Sequence, residues 1–147
     1  MALSKITNNQ VALSGIPVGG IIQVKQATAT GDLGSGDQDL VSVSITPTDS
    51  TNKILIMGQT SCYTPNSITS RVEIKRGSTV LYTSGMGVGW GSVGYNDAAT
   101  SIFLDDPQTT SAITYTLFGG SNGSSKWGFY TATLTTSTSI TVMEVVV

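Results

Sequence analysis

From Ile21 to its end this chain alternates apolar and polar side chains with a period of two, broken at intervals by turns, and no stretch shows a helical period. Successive side chains on a strand point to opposite faces, so the pattern dictates strands and little else. The clearest stretch is "LVSVSIT", where Leu40 is followed by Val41, Val43 and Ile45 on one face and Ser42 and Ser44 lie on the other. "IIQVKQATAT" alternates from Ile22. "KILIMGQTSC" is a longer strand, apolar enough at its start to be buried on both sides. "SRVEIKR" puts Val72 and Ile74 on one face and turns through "GST" into "VLYTS" as a hairpin. "ATSIFLD", "AITYTLFG", "KWGFYTATL" and "SITVMEVVV" complete the set, with "DLGSGDQD", "PTDSTN", "GGSNGSS" and the Gly-rich "GMGVGWGSVGYND" between strands. About nine short strands with regular turns predict an all-β, jelly-roll-like β-sandwich, with Val, Ile and Leu between the sheets and Ser and Thr outside.

Residues 1–20 read as an extended N-terminal arm and residues 21–147 as the sandwich. The arm spaces Leu3, Ile6, Val11, Leu13 and Ile16 among polar residues, too few to form a core, and "GIPVGG" punctuates its end. The 147 residues are one domain's worth of chain. Only 11% are charged and the net charge is −2. The densest basic group is Arg71, Lys75 and Arg76, so nucleic acid, which needs a phosphate-neutralising surface, is not an expected partner. The chain has no His, which excludes His-based triads, His zinc sites and His acid–base chemistry. Its single Cys62 cannot build a disulfide framework and reads as a small buried or half-buried strand residue, not a nucleophile. No apolar run is long enough for a membrane helix, and the N-terminus lacks the core of a secretory signal, so synthesis in a cytoplasm without export by that route is expected.

Several stretches invite a chemical reading. Asp105-Asp106-Pro107 pairs two carboxylates, but neighbours on a strand face opposite ways and would not share a substrate. A strand end with a Pro-initiated turn is the better reading, with Asp106 bonding N–H groups of the turn at 108–110 and Asp105 toward solvent. Gly89, Gly91 and Gly94 match G-x-G-x-x-G, but loop and strand follow where a dinucleotide site needs a helix. The same loop carries Met86, Trp90 and Tyr95, either an exposed contact surface or an ordinary Gly-rich loop. Asp32, Asp37 and Asp39 lack the spacing and the bidentate Glu of an EF-hand and read as an acidic loop. Asn122 in "NGS" reads as a turn. No catalytic residue, metal site or cofactor is expected.

The succession "GGIIQVKQATAT", "VSVSITPTDSTNKILIM", "RVEIKRGSTVLY", "FLDDPQTTSAITYTL" and "ITVMEVV" resembles a domain of tailed-phage fibre and virion-surface proteins, familiar in phages of cyanobacteria and marine bacteria. The resemblance spans about residues 18 to 147. It implies a non-enzymatic β-sandwich assembled as a trimer on the outside of a virion, with the Asp105 stretch as a sandwich corner. Unlike long fibres, this chain has no heptads, no shaft repeats and only the arm in front. Two functions follow as expectations. One is a trimeric capsid decoration or cement protein docked by its arm to the major capsid protein or a neighbouring trimer. The other is a short tail fibre or fibre head whose loop at 85–97 binds a host surface glycan. The apolar end Val145-Val146-Val147 is expected to lie on an exposed edge covered by a neighbouring copy.

Overall fold

The structure, a computed structural model, describes residues 17–65, 67–88, 95–131 and 134–147. Its strands are β1 (Ile21–Thr30), β2 (Gly34–Ser35), β3 (Gln38–Ile45), β4 (Lys53–Thr64), β5 (Thr69–Arg76), β6 (Thr79–Val88), β7 (Tyr95–Asp105), β8 (Ile113–Ser121), β9 (Lys126–Trp127), β10 (Phe129–Thr131), β11 (Leu134–Thr135) and β12 (Ser137–Val145). The described residues contain no helix. One sheet runs β1-β12-β4-β7, with β9 and β2 continuing beside the far end of β4. The other runs β3-β8-β5-β6, and β10 and β11 form a small ribbon. Ranked along the chain, the eight long strands make two sheets of order 1-8-3-6 and 2-7-4-5, all antiparallel. That is the double Greek key of a jelly roll, as the alternation predicted.

Three local expectations change. The Gly-rich loop is shorter than its sequence suggests, because β6 runs on through Gly85, Met86 and Gly87 to Val88 and β7 begins at Tyr95. Its backbone pairs with β5 and β4 and so overrides a glycine-rich composition that disfavours strands. "KWGFYTATL" is not one strand: Gly128, at φ +68, breaks it after Trp127, and its pieces pair with different partners. The strand that carries the C-terminal Val run is not at an edge, since β12 lies between β1 and β4 and bonds to both. Val145 ends that interior strand, whereas Val147 lies beyond it and is exposed.

The core joins the two sheets through Ile45, Ile54, Ile56, Val72, Ile74, Tyr115, Leu117, Ile140 and Val142, all within 1% of full burial. Cys62 is fully buried on β4, as its strand context predicted, and burial pushes its thiol pKa up. At one end of the core Trp127 is fully buried and its indole N–H donates to the carbonyl of Gly36 at 2.7 Å. The ring lies against the backbone of Gly119 on β8 so closely that a Cβ there would overlap it. Gly119→Ala is therefore expected to destabilise the fold by about 1–3 kcal/mol through overpacking. A lower midpoint in urea with an unchanged slope, followed by tryptophan fluorescence, checks this.

Candidate assembly surface

The two sheets turn different faces to solvent. On β3-β8-β5-β6 the outer rows are polar and satisfied sideways. Ser42 and Thr116 share a hydrogen bond at 2.8 Å, as do Ser44 and Thr114. Glu73 accepts from Arg71 at 2.7 Å and lies 3.8 Å from Lys75, whose ammonium sits 3.0 Å over the Phe118 ring. Each member of the basic group of the sequence thus has an acidic partner: Arg71 has Glu73 and Asp37, Lys75 has Glu73, and Arg76 has Asp105.

The outer face of β1-β12-β4-β7 is different. Register places Val24, Met143, Leu55 and Leu104 in one row across all four strands, and Gln26, Thr141, Met57 and Ile102 in the next. Ile21 and Val145 stand beside the first row. Val24 is 56% exposed, Ile102 55%, Leu104 50% and Met57 37%. Of the exposed large apolar residues among those described, only Val80 and Tyr82 lie away from this face and its rim, which Val18 and Val147 extend. The next row, Thr28, Ser139, Gln59 and Thr100, is polar. Between the apolar and polar rows lies an open groove of about 280 Å³, with Met57 and Met143 on one side and Gln26, Gln59, Thr100 and Thr141 around it. The sequence expectation of Ser and Thr outside holds for one sheet and, on this one, only for the rows beyond the apolar patch. The doubly apolar start of β4 was the legible signal: Ile54 and Ile56 fill the core while Leu55 and Met57 face out. A contiguous apolar patch of this kind on a small domain marks a contact surface.

The carboxylates of the sequence are used for structure. Asp105 is buried on β7, where it accepts two bonds from one Arg76 nitrogen at 2.9 and 3.1 Å and one from the Tyr115 hydroxyl at 2.6 Å. Burial, then the bond to Asp105, pushes the Tyr115 pKa far up. Asp106 is exposed, and the turn beyond Pro107 is instead held by Thr109, whose hydroxyl accepts from the Ser111 N–H at 3.0 Å. The strand does end at this corner, but the expected turn bond from Asp106 is replaced by side-chain bonds to Asp105, which faces inward because it pairs with the buried Ile54. Asp32 accepts from the Gly34 N–H and Asp37 from the Ser121 N–H, so these two acids cap loops and do not converge. Asn122 accepts from the Thr69 N–H at 2.8 Å, a turn contact.

A further acid, Glu144, has no counterpart among the sequence candidates. It is fully buried at the end of β12 and accepts from the Thr48 N–H and hydroxyl, both at 2.7 Å, from Asn52 at 2.8 Å and from Gln23 at 3.1 Å. Burial pushes its pKa up, but the bonds from Asn52, Thr48 and Gln23 together outweigh it and hold the carboxyl below its ordinary value. Its position was legible, since it alternates in phase with Ile140 and Val142.

Leu3, Ile6, Val11, Leu13 and Ile16 lie outside the described residues, as do Trp90 and the glycines Gly89, Gly91 and Gly94. Met86 falls on β6 and Tyr95 opens β7, so the proposed contact loop is bracketed by two edge strands.

No protein-family model matches the chain, and no characterised protein matches it in sequence. Among solved structures it is similar to the VP2 protein of infectious bursal disease virus in a subviral particle, at 12% identity and a TM-score of 0.48 over 84% of this chain and 32% of that one. A mutant VP2 of the same virus, in derived T=1 particles, is similar at 13% identity and a TM-score of 0.42 over 85% of this chain and 36% of that one. The chain thus spans about a third of the length of those chains.

Proposed function

We propose that this chain is a non-enzymatic structural protein of a bacteriophage virion, a homotrimeric capsid decoration or cement protein held to the major capsid protein through its N-terminal arm. The carrying observation is the apolar outer face of β1-β12-β4-β7, which a single copy leaves uncovered, beside a polar face on the other sheet whose Ser and Thr residues pair with one another. Jelly rolls recur in viral capsids, though the same fold also serves lectins and cupins, so the fold alone does not decide. The stretches that carry the resemblance to virion-surface domains turn out to be the ones that lock the sandwich. "ITPTDSTN" meets "TVMEV" at Glu144, and Asp105 and Tyr115 bond within "LDDPQTTSAITY". Catalysis is disfavoured because the buried acids are each saturated by structural donors.

The arm supports attachment: its five apolar residues precede a turn at 17–20 that is pinned by Gly19 and Gly20 to Val146, just past the last strand. A segment of that kind orders when it finds a partner surface. Deleting residues 1–16 should leave the strand signature in circular dichroism intact and abolish attachment to particles. Full occupancy by the truncated protein would refute arm anchoring. Copy number separates this reading from a tail fibre or fibre head: hundreds per particle fit a capsid protein, a few dozen a fibre.

A further inference from the structure

We infer that the outer face of β1-β12-β4-β7 in one copy is covered by the β6 edge of the next copy; this deepens, and rests on, the trimer reading above. A three-fold assembly is heterologous, so each copy must offer two different surfaces that fit each other. The described residues offer two. One is the apolar face with Val24, Leu55, Met57, Ile102, Leu104 and Met143. The other is β6, which carries Val80 and Tyr82, the exposed large apolar residues that lie off that face and its rim.

β6 is an edge strand, paired with β5 alone. Edge strands are ordinarily blunted by Lys, by other charges or by Pro. The ten residues "TVLYTSGMGV" contain none of these, whereas the edge strand β1 carries Lys25 and β3 carries Asp39. A long uncharged edge left open would pair with other chains without limit, and a specific neighbour removes that hazard. The face is equipped to receive it. Its apolar rows can take Val80 and the exposed part of Tyr82, whose ring also lies 6.1 Å from that of Phe103 in its own copy, while Gln59 and Thr100 line the groove beside the Gln26–Thr141 hydrogen bond and offer an amide and a hydroxyl to the edge's backbone groups. Size is adequate as well. A ten-residue edge, at ~3.3 Å per residue and ~10 Å across, covers roughly 330 Å² of the face. In a closed ring each copy is covered once at its face and once at its edge, roughly 660 Å² in all, which approaches the ~800 Å² per partner of a standard interface.

The test uses the full chain at micromolar concentration, with mass from light scattering. The unaltered protein should run at three times its 15.2 kDa. Ile102→Lys on the face and Val80→Lys on the edge should each run as folded monomers, with assembly weakened at least 100-fold. Ser44→Lys, on the polar face of the other sheet, should remain trimeric. A double variant with Val80→Cys and Ile102→Cys should form inter-copy disulfides on oxidation, since Cys62 is buried and cannot compete. If the unaltered chain is a trimer and both Lys variants stay trimeric, the surface assignment is overturned while the trimer reading survives. A trimer lost only on the face, with Val80→Lys unaffected and no disulfide formed, overturns the pairing with β6. A monomeric or dimeric unaltered chain overturns the trimer reading itself.

Discussion

Asp105→Ala is expected to cost about 3 kcal/mol of stability, and its neighbour Asp106→Ala less than about 0.5 kcal/mol. The contrast follows from what each carboxylate touches. Asp105 is 5% exposed and takes charge-assisted bonds from Arg76 and the buried Tyr115 hydroxyl. Removing it strands a guanidinium and a phenol at the seam between the sheets. Breaking a buried ion pair by deleting one partner costs roughly 3–5 kcal/mol, and an unsatisfied buried hydroxyl adds about 1–3. The lower end applies because the Arg76 side chain is 34% exposed and can turn toward water. Asp105→Asn keeps an acceptor for Tyr115 and should lose only about 1–2 kcal/mol. Equilibrium urea unfolding of the three variants measures these differences. Equal midpoints for Asp105→Ala and Asp106→Ala would show that the seam is held otherwise.

Glu144→Ala should be as damaging, again about 3 kcal/mol, and it should change how stability responds to acid. The carboxylate gathers donors from two separate segments: Gln23 on β1, and Thr48 and Asn52 in the turn between β3 and β4. Alanine leaves these donors facing a void, each orphan costing about 1–3 kcal/mol before relaxation. Glu144→Gln retains the shape and one oxygen, so about 1–2 kcal/mol is expected from the lost charge. The folded-state pKa of Glu144 is depressed, so the unfolded chain binds the proton first. The contribution is therefore fully present above the unfolded pKa of about 4.3 and is lost as pH falls through the lower folded value. The stability gap between the native protein and Glu144→Gln should be constant from about pH 6 to 8 and close below about pH 4. A gap unchanged down to pH 3 would show that the carboxylate charge is not what the four bonds use.

Much of this architecture is legible from the chain alone. Ser42 and Ser44 against Val43 and Ile45 state both strand and facing, because one face of β3 must leave water and a shift of one residue would expose the whole set. The turn residues of "PTDSTN" and the Gly77 turn delimit strands because few other residues fit such backbones. The apolar start of β4 announces that both of its sides are meant to be covered. Other features have no local signature. Ile102, Phe103 and Leu104 are three consecutive apolar residues, so the alternation cannot say whether Asp105 or Asp106 points inward. Pairing with Ile54 across β4 settles it, and pairing is long-range. The terminal valines announce apolar surroundings without saying whose, and only the insertion of β12 between β1 and β4 places Val145 at the end of an interior strand while Val147, beyond it, stays exposed. Composition and period fix which residues must avoid water, since that is a property of each side chain. Which neighbour shields them depends on strand order, a matter of contacts between segments up to the whole chain apart.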